Sequence, residues 1–169
     1  MKILGSIEGA DKKQMLKKMK MKESFGLIPG GFEEATISCP NKDRVYLKKR
    51  KGFVKYALQH GYSLTPVYVF GECNTYSNLQ GFWGLRWFMN ANKLPAILPF
   101  GRWWCPLLPK KVDMATIGGK PLQLPLISQP TKDDVDEWHG KYVVALRAHY
   151  DKWEPVYGKY NNKRGLEIW

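Results

Sequence analysis

From Gly52 the hydrophobic period of this chain changes from that of a strand to that of a helix, and by Leu64 it has changed back. Ahead of the change, Phe25–Pro29 (FGLIP) is a short apolar run ending in Gly30-Gly31, with Glu33 and Glu34 close behind. Arg44–Leu47 (RVYL) is a second strand candidate and leads into the basic run Lys48–Lys51. Phe53, Val54, Ala57 and Leu58 then recur at helical spacing, and Gly61 stands where a helix C-terminus favours glycine. Leu64–Phe70 (LTPVYVF) is β-branched and aromatic, as a buried strand is, with Glu72 at its exit. Strand, glycine turn, strand, basic turn, helix, strand is the order of an open α/β sheet. Ligands of such sheets sit beyond the carboxyl ends of the strands. Here those ends carry Gly30, Gly31, Glu34 and Glu72, and a glycine pair lets a ligand approach the backbone closely.

The 169 residues carry a formal net charge of +12, which favours anionic partners: phosphorylated cofactors, anionic lipid headgroups or nucleic acid. Aromatic residues make up 14%, with seven Trp, a composition suited to a membrane interface or a single-strand nucleic-acid platform. No RNP, zinc-finger or helix-turn-helix pattern supports the nucleic-acid reading, so no nucleic-acid partner is expected. Cys39, Cys73 and Cys105 are odd in number and lack close pairs, so neither a zinc site nor disulfides are expected, and a reducing compartment is. The lysine-rich N-terminus is not followed by the apolar run of a signal peptide. No apolar stretch reaches the ~18 residues of a spanning helix, so a membrane-bound form is expected to lie on the bilayer.

Asp11 is a candidate N-cap for a basic amphipathic helix over Lys12–Lys22, whose stripe of Met15, Leu16 and Met19 packs inward while its lysines face solvent or anionic lipid. Glu33 and Glu34, read as extended chain, point opposite ways, so one faces the site. Cys39–Arg44 reads as turn chemistry. The run Lys48–Lys51 has two readings: a solvated turn, or a phosphate site at a helix N-terminus to which Arg50 adds a bidentate fork. His60 reads as a partner for the last helical carbonyls.

The segment 74–109 gathers Phe82, Trp83, Leu85, Trp87, Phe88 and Met89 around Arg86, then Pro95, Pro99, Pro106 and Pro109 interrupt regular structure. It is expected to face a membrane or an acyl chain, with Arg86, Lys93 and Arg102 reaching for headgroups. Val112–Leu124 reads as a hairpin around Gly118-Gly119, and not as a P-loop, because Met114 stands where the first glycine must be. Thr131 and Asp134 form a capping-box pattern ahead of a long helix. Val135, Trp138, Tyr142, Leu146, Tyr150 and Trp153 give that helix one apolar face, with His139 and His149 at its surface or boundary and Pro155 closing it. Residues 156–169 read as a polar, frayed tail.

Three linked blocks, PGGFEEA (Pro29–Ala35), RKGFVKYALQHG (Arg50–Gly61) and TPVYVFGE (Thr65–Glu72), resemble the diacylglycerol acyltransferase type 2 family, which includes monoacylglycerol and wax-alcohol acyltransferases. The family pattern is GG-x-x-E, then R-x-G-F opening a helix, then V-P-x-x-x-F-G-E, with Thr65 here in place of the valine. The resemblance implies an α/β, glycerolipid-acyltransferase-like mixed sheet with flanking helices over residues 1–155, the N-terminal part of the fold missing. It also implies acyl-CoA-dependent transfer to a diacylglycerol hydroxyl, giving triacylglycerol, at the cytosolic face of the endoplasmic reticulum membrane or on a lipid droplet. Acyl-CoA is then a co-substrate, and no bound cofactor or metal is required. Glu34 falls on the family's acid. Gly30, Gly31, Arg50, Lys51, Gly52, Phe53 and Glu72 fall on the donor- and substrate-binding blocks.

The family takes its general base from an upstream H-P-H-G block that this sequence lacks, and none of His60, His139 or His149 matches it. The sequence is therefore expected to be the C-terminal portion of a longer enzyme, with little or no turnover alone. The alternative is a non-catalytic peripheral membrane or lipid-droplet binding protein.

Overall fold

Thr131 and Asp134 start the element against which much of the chain packs. The computed structural model describes residues 12–78, 81–92, 94, 99–159 and 165–169. In chain order the elements are α1 (Lys12–Lys20), α2 (Gly31–Ile37), β1 (Arg44–Val45), α3 (Gly52–His60) and β2 (Val67–Phe70). A single 3₁₀ turn at Glu72–Asn74 leads to β3 (Ser77–Asn78), α4 (Trp83–Ala91), β4 (Pro99–Phe100), β5 (Ala115–Gly118), α5 (Lys132–Tyr157) and β6 (Glu167–Ile168). Both halves of the capping box are made: the Thr131 hydroxyl accepts from the Asp134 N–H at 3.1 Å, and Asp134 accepts from the Thr131 N–H at 2.8 Å. Gly61 caps α3 in the left-handed region at φ 64.

The strands form three separate pairs: β1–β6 parallel, β2–β5 antiparallel and β3–β4 antiparallel. Among the described residues they do not join into the open sheet that the alternation of elements suggests. Phe25–Pro29 belongs to no strand; Leu27 and Ile28 find no edge to pair with and stay exposed. Nor is Val112–Leu124 a hairpin. Gly119 donates to the Pro66 carbonyl at 2.8 Å and Leu122 bridges Leu64, so the segment runs alongside β2. A side chain at Gly119 would crowd Pro66 and His149, so that glycine serves close approach of two strands and not chain reversal.

One apolar cluster joins Leu47, Tyr68, Phe70, Leu146, Tyr150, Leu166 and Ile168; a second joins Val54, Ala57, Leu58, Leu124 and Val135. Phe53 packs against both, meeting the Tyr142 ring edge-on at 5.2 Å. The tail is thus not frayed where it is described: Leu166 and, in β6, Ile168 are buried, and the Trp169 carbonyl accepts from the Leu47 and Lys48 N–H groups. Residues 160–164 of that tail lie outside the described residues. The same holds for Asp11, Lys93 and Pro95 of the sequence reading. Pro155 sits inside α5, which continues to Tyr157 because that ring packs on Phe70 and Trp153.

His139 and His149 are buried, not at the surface. Each Nε2 meets a carbonyl at 3.0 Å, that of Leu47 for His139 and that of Ile117 for His149, so the rings fasten α5 to the strands and turns beneath it. Asp43 is the second polar anchor. Its carboxylate accepts from the Tyr68 hydroxyl at 2.9 Å and the Tyr150 hydroxyl at 2.6 Å, tying the turn before β1 to β2 and α5.

Candidate functional site

The Gly30-Gly31 pair opens a helix, not the end of a strand. Gly31 takes φ +62, and Glu33 and Glu34 lie in the first turn of α2, where carboxylates favour the positive end of the helix dipole. They are therefore not the opposed pair of an extended segment. Glu34 turns back over Gly30: any Cβ at residue 30 would collide with its side chain. That carboxylate accepts the Tyr46 N–H at 2.9 Å. Burial and the nearby charge of Glu72 push the Glu34 carboxyl above its ordinary range, against the Tyr46 N–H, which favours the ionised form.

Arg50 comes to the same place from the far side of β1. Its Nη2 binds the Glu33 carboxylate and lies 3.4 Å from the Gly30 carbonyl, while its guanidinium sits 5.6 Å from the centre of the Tyr46 ring. Arg50 Nε is buried without a hydrogen-bond partner among the described residues. Gly30, Gly31, Glu34 and Arg50 thus converge, and Glu72, exposed at the start of its 3₁₀ turn, acts on Glu34 through space. Lys51, Gly52 and Phe53 do not join them. Lys51 pairs with Asp136 on α5 at 2.6 Å, Gly52 is exposed, and Phe53 is a core ring. Tyr46 is a further participant that no motif marks, since it contributes its backbone N–H.

The cluster offers a carboxyl whose pKa is raised by burial and a guanidinium beside it, both packed over the two glycines. It contains no histidine. His60 Nδ1 meets the Tyr56 carbonyl at 3.0 Å, and the other two imidazoles serve the carbonyls already named. Nor is Cys73 a nucleophile: burial and the adjacent Asp43 push its thiol up to about 11, so it stays protonated near neutrality.

An apolar surface lies next to α2. On α4 and the loops around it, Phe82, Leu85 and Phe88 are exposed, and farther along Trp103 is 93% and Leu107 83% exposed. Arg86 does not reach outward from this surface. It is buried, donates to the Thr36 carbonyl of α2 and lies over the Trp83 ring, so the cation pins the inner face of α4 while the outer face is left apolar. Among the described residues no helix is long and apolar enough to cross a membrane.

The diacylglycerol acyltransferase family model matches residues 3–167. Diacylglycerol O-acyltransferase 2 of Xenopus tropicalis is 38% identical over 151 residues, which is 82% of this chain and 41% of that protein. Acyl-CoA wax alcohol acyltransferase 1 of Homo sapiens is 36% identical over 143 residues, 79% of this chain and 44% of that protein. Diacylglycerol O-acyltransferase 2 of Homo sapiens is 35% identical over 144 residues, 78% of this chain and 37% of that protein. The chain spans about two fifths of the length of these curated relatives. No solved structure matches it. With blocks that carry the family pattern converging at the start of α2 and the family model matched almost end to end, this chain belongs to the diacylglycerol acyltransferase family.

Proposed function

We propose that this chain supplies the donor- and acid-bearing part of an acyl-CoA-dependent O-acyltransferase that converts diacylglycerol to triacylglycerol. The observation that carries the reading is the convergence of Gly30, Gly31, Glu34 and Arg50 at one helix start, in a chain of this family. The acyl donor approaches the start of α2, where the side chains of Glu34 and Arg50 close over the two glycines and can meet its reacting end. Glu34 holds a proton or a hydrogen bond for the reacting oxygens, and Arg50 fixes Glu33 and the Gly30 carbonyl beneath them. The general base is the histidine of the upstream block that the resemblance implies, because all three imidazoles of this chain are engaged elsewhere. The 169 residues alone then bind donor without turnover.

The parallel β1–β6 pair supports a wider reading of the fold, in which these strands belong to a larger glycerolipid-acyltransferase-like mixed sheet. The apolar face of α4 and residues 99–108, with the net charge of +12, supports attachment to the cytosolic face of the endoplasmic reticulum membrane or to a lipid droplet. That same face favours the second reading, a peripheral lipid-surface protein without catalysis.

The test is the complete enzyme assayed with labelled acyl-CoA against diacylglycerol and a long-chain alcohol. Glu34→Gln is expected to lower kcat at least about tenfold, within the range for losing an acid–base group, and Arg50→Ala to raise KM for acyl-CoA. A carboxyl whose pKa is raised on folding loses stability as pH climbs from its ordinary 4.5 through the raised value. Glu34→Gln keeps an acceptor for the Tyr46 N–H and removes that loss, so its melting temperature near neutral pH should rise while activity falls. Unchanged kinetics in both variants would take the cluster out of the reaction, and binding without turnover by the complete enzyme would favour the second reading.

A further inference from the structure

Tyr46 belongs to two places at once. Its N–H serves Glu34, and its side chain lines a groove of about 740 Å³ formed where the basic turn meets β6 and α5. That volume suits a small-molecule site, for which ~300–1,000 Å³ is usual. The groove's cations are Lys48, Lys49 and Arg147. Unlike Arg44, Arg50 and Lys51, none of the three has an ion-pair partner among the described residues. The side-chain carboxylate of its lining, Glu167, is paired with Arg44 at 2.7 Å.

Three positive charges, two from the adjacent Lys48 and Lys49 and one from the remote Arg147, repel one another, and a multiply charged anion relieves that repulsion. Their mountings are fixed. The Lys48 N–H donates to the Trp169 carbonyl at 2.7 Å, the Arg50 N–H closes the turn on the Leu47 carbonyl at 2.9 Å, and Arg147 follows the buried Leu146. The backbones that carry the three cations are thus set before a ligand arrives, while the exposed side chains are ordered by it.

The rest of the lining is aromatic. Tyr46 and Trp87 stand 6.3 Å apart at 48°, and Trp169, 40% exposed, has Arg44 5.3 Å from its ring centre. Such rings accept a flat heterocycle by stacking. Cations beside rings select a ligand that joins phosphates to a heteroaromatic base.

We infer that this groove binds the phosphorylated nucleotide end of the acyl carrier, its base against Trp87 and Trp169 and its phosphates on Lys48, Lys49 and Arg147. The identity of the carrier rests on the acyl-CoA reading above, whereas the charge and the rings stand on their own. The thioester end then extends past Tyr46 toward Gly30 and Glu34. This assigns the phosphates to cations other than Arg50, which Glu33 already neutralises.

The experiment is calorimetric titration of the full 169-residue chain with adenosine 3′,5′-bisphosphate, with pyrophosphate, and with phosphatidic acid vesicles. The bisphosphate should bind more tightly than pyrophosphate and weaken as salt rises. The triple variant Lys48→Glu, Lys49→Glu, Arg147→Glu should lose at least about a hundredfold in affinity, and Trp87→Ala about tenfold, as expected for removing several charge-assisted contacts and one stacked ring. Lys141→Ala, a surface cation away from the groove, should change nothing. Should the triple variant melt early, Arg147→Gln alone is expected to lose about tenfold. Equal binding by these variants, or pyrophosphate binding as tight as the nucleotide, would overturn the assignment. Vesicle binding through the three cations without nucleotide binding would overturn it too, in favour of a headgroup site. Nucleotide binding here, with no acyl transfer by the complete enzyme, would leave the groove standing and remove the acyltransferase reading.

Discussion

Asp43 sits in a CPNKDR segment that reads as an ordinary turn, yet its carboxylate is buried and accepts hydrogen bonds from hydroxyls 25 and 107 positions away. Burial and that carboxylate push the Tyr68 hydroxyl far above the usual phenol range, so it remains a donor. Asp43→Ala strands both hydroxyls and loses two hydrogen bonds to a charged group, and is expected to cost about 3–5 kcal/mol. The urea midpoint checks this; a loss under about 1 kcal/mol would show that the hydroxyls find other partners. His139 gives a pH-dependent counterpart. Burial lowers its pKa below the ordinary 6.5, against the Leu47 carbonyl, which favours the charged form. The unfolded chain then binds the proton more readily, so stability present at neutral pH is lost as pH falls below 6.5. A melting temperature followed from pH 7.5 to 5 should drop in the parent and drop less in His139→Gln; parallel curves would clear His139 of the effect. Neither residue's role was legible beforehand, because a turn aspartate and a helix histidine acquire burial only from partners remote in sequence. Glu34 and Arg50 were legible as site candidates through motif spacing, although the reach of Arg50 to Gly30 and Glu33 at the start of α2 was not.

At the scale of elements, α3 and α5 could be read directly, since each carries both a period and a local stop or start: Gly61 for one, Thr131 with Asp134 for the other. The two-residue strands could not. β1 and β6 exist because each supplies the other's hydrogen bonds across more than 120 residues, and neither has an alternation long enough to announce itself. The segment 112–124 misled for a related reason, since Gly119 marks close packing on Pro66 and not a turn. α4 was anticipated as apolar, but the inward turn of Arg86 was not. With that cation spent on α2, the outer face of α4 has only apolar groups to offer a lipid surface. Leu85→Glu with Phe88→Glu should lower flotation with neutral and anionic vesicles several-fold, since burying a charge in place of a large apolar side chain reverses ~2 kcal/mol or more each. Circular dichroism should be unchanged, because both side chains are exposed. Unaltered flotation would move the membrane contact elsewhere, for instance to the lysines of α1.

Across the whole molecule, α5 and β6 close over the turn that links β1 to α3, and this closure sets the Glu34–Arg50 cluster and the cationic groove on either side of one residue, Tyr46. Under the proposed function, an acyl carrier lies along this line, with its reactive end at the start of α2. A photoactivatable acyl-CoA analogue, cross-linked to the complete enzyme and mapped by mass spectrometry, tests it most directly. Labelling should fall within residues 29–51, be competed by unlabelled acyl-CoA, and fade in Gly30→Ala, where the added Cβ displaces Glu34. Competed labelling confined to residues 112–130, with 29–51 untouched, would contradict it.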